Sequence, residues 1–301
     1  MKKAILYTFI ISFIIFSCSR LPVAVNSPIA NTKTKDAKGT DMLLGHCSRA
    51  CLHESPYKEW FEKNYAEYIV DIPTADKLTD LLKDKTVVVF LGTWCPDSRR
   101  ETPRLIKILD QCKLPDQQLR LVMVDYQDGA YKQSPQHEEK NLQIFRVPCF
   151  IIFSGKKEIG RIVESPRQSL EKDLLQILSG NSYTPNYAAG KWFLETMEKK
   201  SLSQLYRDSV QITNKIRSQL KNSSELNSIG YVMMDRKEMD KAIFSFEINS
   251  RLNPTSVTAL NGMADAFIRK QQIPNAKKLL EKAQGIDSTS AETKRLMKLI
   301  E

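Results

Sequence analysis

The chain has 301 residues, 42% of them hydrophobic and 27% charged, with a formal net charge of +10. Those proportions fit a folded protein of about two domains and exclude a disordered or fibrous chain. The basic balance does not point to nucleic acid: lysines and arginines are interleaved with acids, as at 195–200 and 237–241, and no basic run alternates with aromatics.

Lys2 and Lys3 precede an apolar run over residues 4–16, broken by Thr8 and Ser12. A spanning helix takes about 20 residues, so this shorter run reads as an export signal. It ends in Ile15-Phe16-Ser17-Cys18, which resembles the lipobox of bacterial lipoproteins, with Phe16 where a small or branched residue is usual. The resemblance implies that residues 1–18 are a lipoprotein-type signal and that Cys18 is lipidated. The mature chain would then be tethered to a membrane in the cell envelope, facing the periplasm. An ordinary cleaved signal and an uncleaved anchor are the alternatives. Residues 19–44 open with a stretch rich in Pro, Asn, Thr and Lys and are expected to form a flexible tether.

Export implies an oxidising compartment, where disulfides persist. Without Cys18, five of the six cysteines remain: Cys47, Cys51, Cys95, Cys112 and Cys149. An odd number leaves at least one thiol unpaired in a monomer. Segment 45–73 carries Cys47 and Cys51 beside His46 and His53, then Tyr57, Trp60, Phe61, Tyr65 and Tyr68. The aromatic spacing predicts an amphipathic helix that caps the following domain. A local Cys47–Cys51 disulfide is the simplest reading of the pair. Four ligands so close would crowd a tetrahedral zinc, so no metal and no other cofactor is expected. A separate redox couple serving Cys95 stays open.

From residue 74 the pattern alternates. A helix is predicted at 74–82, with Leu78, Leu81 and Leu82 on one face, then a strand at 86–91. A helix at 95–112 repeats apolar residues at Leu105, Ile106, Ile108 and Leu109. A strand at 119–124, a short helix at 138–145, a hairpin at 150–153 and 158–163, and a helix at 169–178 complete the unit. Cys95 falls where the first strand gives way to a helix. Helix N-termini carry positive dipole density, which favours the thiolate, and the thiolate is the nucleophile.

Trp94-Cys95-Pro96-Asp97-Ser98 resembles the thioredoxin-family active site with its second cysteine replaced. Pro103 matches the proline that kinks the family's active-site helix, and Val147-Pro148 matches its cis-proline. The resemblance implies an α/β thioredoxin-like domain at 74–180, a central mixed sheet flanked by helices, acting in thiol-disulfide exchange on protein thiols. Cys95 would attack, Trp94 shape the approach, Pro148 pack against Cys95, and Val147 hold the incoming peptide backbone. Val89 stands where the family often has a buried acid, so the resolving thiol and its base are both absent. Ser98 is expected to donate a hydrogen bond to the Cys95 thiolate, but it cannot attack a mixed disulfide. Cys149 either replaces the resolving thiol or is a packed small residue. Cys112 is expected to be an inert packed thiol.

Beyond 180 the pattern is helical. A 34-residue period aligns Leu226 with Leu260, Ile229 with Met263, Gly230 with Ala264, Met233 with Phe267, Ala242 with Ala276 and Phe246 with Leu280. This resembles two tetratricopeptide repeats over about 223–290, with 291–301 as a capping helix. Residues 192–221 are expected to add two helices, with Trp192, Phe193, Leu202, Leu205, Ile212 and Ile216 as core. Residues 188–301 thus read as an all-α helical-repeat domain. It offers a groove for a protein partner, or else a structural appendage or homodimer surface. Two functions follow. One is single-thiol exchange of isomerase or deglutathionylation type. The other is a non-catalytic peptide-binding or assembly adaptor. A thiol peroxidase using Arg99 or Arg100 fits the motif less well.

Overall fold

The computed structural model describes residues 27–301; the expected export signal, Cys18 and the start of the expected tether lie outside the described residues. The apolar run ending at Leu91 has no polar alternation, as expected of a strand covered on both faces. It becomes β3 (Lys85–Leu91), a central strand of one mixed sheet. Around it lie β1 (Thr32–Lys35), β2 (Asp41–Cys47), β4 (Leu119–Met123), β5 (Cys149–Ser154) and β6 (Lys157–Val163). The order is β1-β2-β4-β3-β5-β6, six strands among the described residues. Only β3 and β4 run parallel; the other neighbours are antiparallel.

The two faces of the sheet have different covers. Val87, Val89 and Leu91 point to one face, under α1 (Lys58–Glu67), α2 (Ile72–Leu81), α3 (Pro96–Gln111) and α4 (Leu170–Leu178). Phe61, Leu78, Leu105 and Leu174 fill that layer. Val88 and Phe90 point the other way, into a core shared with the helical region. That region comprises α5 (Ala188–Lys199), α6 (Leu202–Arg207), α7 (Ser209–Arg217), α8 (Ser224–Asp235), α9 (Met239–Leu252), α10 (Val257–Arg269), α11 (Ile273–Ile286) and α12 (Ala291–Met297). Phe193, Met197, Phe244 and Phe246 belong to the same buried cluster as Val88, Phe90 and Cys95. The helices therefore share one core with the sheet instead of following it as a separate body.

The 34-residue period is visible in the backbone. α9 and α11 begin and end at positions 34 apart. The turns before them place Lys237 and Gln271 in the left-handed region, at φ 66° and 59°. Close approach is enforced by small residues: a Cβ on Gly230 or Gly262 would come within 2.4 Å of the Phe246 ring.

Three expectations are corrected. The tether contains strands: β2 buries Met42 and Leu43 and pairs Gly45, His46 and Cys47 with β4. β1 then adds to its edge through the backbone ladder, with lysines alternating outward as suits an exposed edge. The helix at 138–145 does not form: His137, Asn141 and Gln143 sit at φ 54°, 64° and 49°, and right-handed turns cannot run through them. Residues 192–221 make parts of three helices, because Ser201 caps α6 with a reciprocal Gln204 bond and starts a new turn.

Candidate active site

β3 delivers the chain to the carboxyl end of its strand at Leu91, and the turn Gly92-Thr93-Trp94 closes with Cys95 N–H donating to the Gly92 carbonyl at 2.9 Å. Cys95 is the N-cap of α3, with extended backbone (φ −87°, ψ 122°) and Pro96 following. Proline suits the first helical position because the N–H it lacks would be unpaired there. The Cys95 thiol donates to the Val147 carbonyl at 3.4 Å. The Val147–Pro148 peptide is cis, and it leads directly into β5, where Cys149 pairs with Phe90 across the sheet. The structure thus brings Cys95, Trp94, Val147 and Pro148 together. Pro103 is buried within α3.

Trp94 folds back over the turn. Its indole N–H donates to the Val124 carbonyl at 3.0 Å, and Tyr126 lies against it at 5.0 Å between centroids. The indole lies so close to Gly92 that an added Cβ would come within 2.4 Å of it.

Ser98 does not take the role expected of it. Its hydroxyl accepts the Gly92 N–H at 3.2 Å, and no hydrogen bond joins it to Cys95 among the described residues. It holds the turn rather than the sulfur. Arg99 donates to the Thr93 carbonyl at 2.6 Å, and Arg100 pairs with Asp97 and Glu101 at 2.7 Å each. Among the described residues neither arginine bonds Cys95.

Cys149 is buried on the same face as Cys95, and no disulfide joins them. Its nearest polar partner is the Arg161 guanidinium at 4.0 Å, which is itself held by Glu158 and the Leu142 carbonyl. Burial pushes the Cys149 thiol up to about 11, against the pull of Arg161. At neutral pH it stays protonated and is a poor resolving nucleophile.

The Cys47–Cys51 disulfide is absent: both are free, buried thiols. Cys47 lies in β2 and points its S–H at the Leu44 carbonyl at 3.6 Å, while Cys51 lies 3.8 Å from the Ser48 hydroxyl on a following 3-10 turn. Burial pushes Cys47 up to about 12. No metal-binding cluster occurs among the described residues. Cys112 is free and buried, donating to the Ala75 carbonyl at 3.3 Å. Val89 faces the apolar layer under α1 to α4.

Two features of the site escape motif reading. The first is its closure. Cys95 is 7% exposed and Val147 2%. Arg146 spans the gap to the helices, bonding Glu164 at 3.3 Å and the Ser224 hydroxyl at 2.5 Å, with Tyr187 packed on its guanidinium. Tyr187 bonds Glu164 in turn. The edge expected to receive a peptide is covered in this conformation. The second is Lys132, 6% exposed, whose ammonium lies 4.1 Å from the Trp94 ring centroid. Burial pushes it down to about 7, while the charge of Cys95 acts in the opposite direction. Nothing in the sequence marked this lysine: it stands in a turn-rich loop without periodicity, among Gly129, Ala130 and Tyr131.

That loop, residues 125–133, closes on itself through the Asp125 and Gln133 backbones and is pinned to α8, where Tyr131 N–H donates to Asp235 at 2.7 Å. Beside it opens a cleft of about 570 Å³, lined among others by Tyr126, Tyr131, Tyr231, Asp265, Arg269 and Arg295. Its walls come from both the sheet loop and the helical region, and Tyr126 on its rim lies against Trp94. No family model, curated protein or solved structure matches the chain.

Proposed function

We propose that this is a thioredoxin-like protein that performs thiol-disulfide exchange on protein thiols through the single cysteine Cys95. The observation that carries the reading is Cys95 at the N-cap of α3, bonded to the carbonyl that precedes a cis-proline opening the next strand. A helix N-terminus favours the thiolate, and the neighbouring strand edge offers backbone groups to an extended peptide. The Cys95 sulfur attacks one sulfur of a substrate disulfide; a Cys95–substrate bond forms as the substrate bond breaks and a thiolate leaves. An external thiol then attacks the mixed disulfide and restores Cys95. Ser98 cannot take that step and burial keeps Cys149 protonated, so release falls to a second molecule. Isomerase or deglutathionylation-type chemistry follows, without net oxidation.

The signal-like N-terminus supports placing this activity in the cell envelope, with Cys18 lipidated and the membrane reached through that anchor. Among the described residues no helix is long and apolar enough to cross a membrane. The two 34-residue helix pairs are read as tetratricopeptide-type repeats, and the cleft they share with the 125–133 loop is the place for a protein partner.

The test uses the full chain and a peptide carrying a labelled mixed disulfide. Exchange predicts a Cys95 adduct by mass spectrometry, lost in Cys95→Ser and kept in Cys149→Ser. A second reading, a non-catalytic adaptor, is favoured by the cover over Val147 and Cys95. It predicts no adduct, together with equal binding of a cysteine-free peptide to the parent and to Cys95→Ser.

A further inference from the structure

Lys132 is a buried cation to which the exchange chemistry above gives no role. Its backbone is left-handed at φ 59°, and its N–H donates to the Asp125 carbonyl at 2.9 Å. That turn sends the side chain inward, with Nζ 4.1 Å from the Trp94 ring centroid and 4.8 Å from that of Tyr131. Among the described residues Nζ makes no hydrogen bond and no ion pair with a carboxylate. A lysine near a surface ordinarily extends its head to water; this one is closed in.

An ammonium stripped of water is costly unless an anion compensates, and ring faces return only part of that cost. The ionisable groups near enough to act on its charge are Cys95 from the start of α3, which favours the ammonium, Arg146 ahead of β5, which opposes it, and Glu164 after β6, which favours it. Glu164 is already committed to Arg146 and Tyr187. Within its own loop stands Tyr131, tied to Ser228 and Asp235 of α8. The sulfur of Cys95 is the group left to balance it.

We propose that Lys132 is the counter-ion of the Cys95 thiolate and the carrier of the proton that exchange releases and takes back. The inference rests on the exchange reading and deepens it. Exchange starts from the reactive form of the site, Cys95 as thiolate with Lys132 as ammonium, in which the sulfur has given up the bond that it donates as a thiol to the Val147 carbonyl. Attack on a disulfide RS–SR′ forms the Cys95–SR bond, breaks RS–SR′ and expels R′S⁻. Lys132, now a lone buried cation, gives its proton to R′S⁻, yielding R′SH and a neutral amine. An incoming thiol R″SH passes its proton to that amine, and R″S⁻ attacks the R sulfur. RS–SR″ leaves and the Cys95 thiolate with its ammonium is restored, so the sum is one thiol exchanged for another. Burial holds Lys132 down to about 7, where a group gives and takes a proton with little cost at neutral pH.

The experiment follows iodoacetamide alkylation of Cys95 against pH by mass spectrometry, in the full chain, with each rate scaled to its own alkaline plateau. Scaling separates ionisation from access. Lys132→Met is expected to move the midpoint up by about one pH unit or more. Lys132→Arg keeps the charge but cannot release a proton. It should hold the parent midpoint yet slow release of a Cys95-bound label by external thiol, by about tenfold or more. An unmoved midpoint in a folded Lys132→Met overturns the proposal, as does undiminished release in Lys132→Arg. If Lys132→Met does not fold, the reciprocal measurement decides. In Cys95→Ser, reductive methylation of Lys132 should reach its midpoint at lower pH than in the parent; an equal midpoint refutes the pairing. The two readings fail separately. A parent that shifts as described but forms no adduct with a mixed-disulfide peptide loses the exchange reading and keeps the ion pair. A parent that forms the adduct without the shift keeps exchange and loses Lys132.

Discussion

The two faces of the sheet are built from alternate residues of the same strands and bury opposite kinds of chemistry. Toward α1 to α4 the strand side chains are apolar, with Val87, Val89, Leu91 and Ile152 packed on Leu105 and Leu174; the covering helices bury the carboxylates Glu101, Glu171 and Asp173, and no cation is buried there among the described residues. Toward the helical region the same strands meet Cys95, Lys132, Cys149 and Arg161, with Arg146 and Glu164 at the rim. Buried charge costs stability unless it is paired, whereas apolar packing contributes it. The first face therefore reads as the foundation of the fold, while the second holds the buried cations Lys132 and Arg161 at a cost to stability.

The comparison breaks most easily in the packing. Leu78→Ala on the foundation face should cost about 2–5 kcal/mol in denaturant unfolding and leave Cys95 alkylation unchanged. Phe246→Ala on the helical side should cost about 3–5 kcal/mol. Because that ring shares a core with β3, far-UV circular dichroism and Trp94-region fluorescence should lose signal in one transition. Two separated transitions would make the helical region an independent body.

Charge gives the next effect. An unfolded lysine keeps its proton to about 10.4, while folded Lys132 releases it near 7. Between these values the unfolded chain binds more protons, so this group's contribution to stability rises with pH. From pH 7 to 9 the stability of the parent relative to Lys132→Met should rise by about 2 kcal/mol. A flat difference would mean that Lys132 is solvated. Gly230→Ala would press a methyl into the Phe246 ring and should cost about 1–3 kcal/mol. Smallest is Ser169→Ala at the start of α4, where the hydroxyl accepts Lys172 N–H at 3.3 Å; about 1 kcal/mol is expected.

Where local pattern and tertiary demand agreed, the sequence was a sufficient guide. The apolar run of β3, the helical spacing of α3 and the turn at Gly155 lie at the predicted positions, within a residue or two. Where polar residues are recruited by distant partners, it was not. Thr32–Lys35 becomes a strand because β2 presents an open edge, and nothing in its composition asks for one. Glu138 and Glu139 lie in turns instead of a helix, with Glu139 accepting from both the backbone and the hydroxyl of Ser134. Ser98 turned to Gly92 N–H, a partner six residues back that the four-residue motif does not include.

By itself the sequence determined which residues could carry the chemistry: a cysteine at a strand-to-helix junction, an X–Pro at the next strand, and a 34-residue helical period. Those are local properties, fixed by backbone preferences and side-chain spacing within a few turns. The tertiary structure alone decided that the helices cover the thiol's own face of the sheet, that Cys149 faces Arg161, and that Lys132 lies buried over the Trp94 ring. Burial and charge pairing depend on residues tens of positions apart in the chain. No local pattern encodes them.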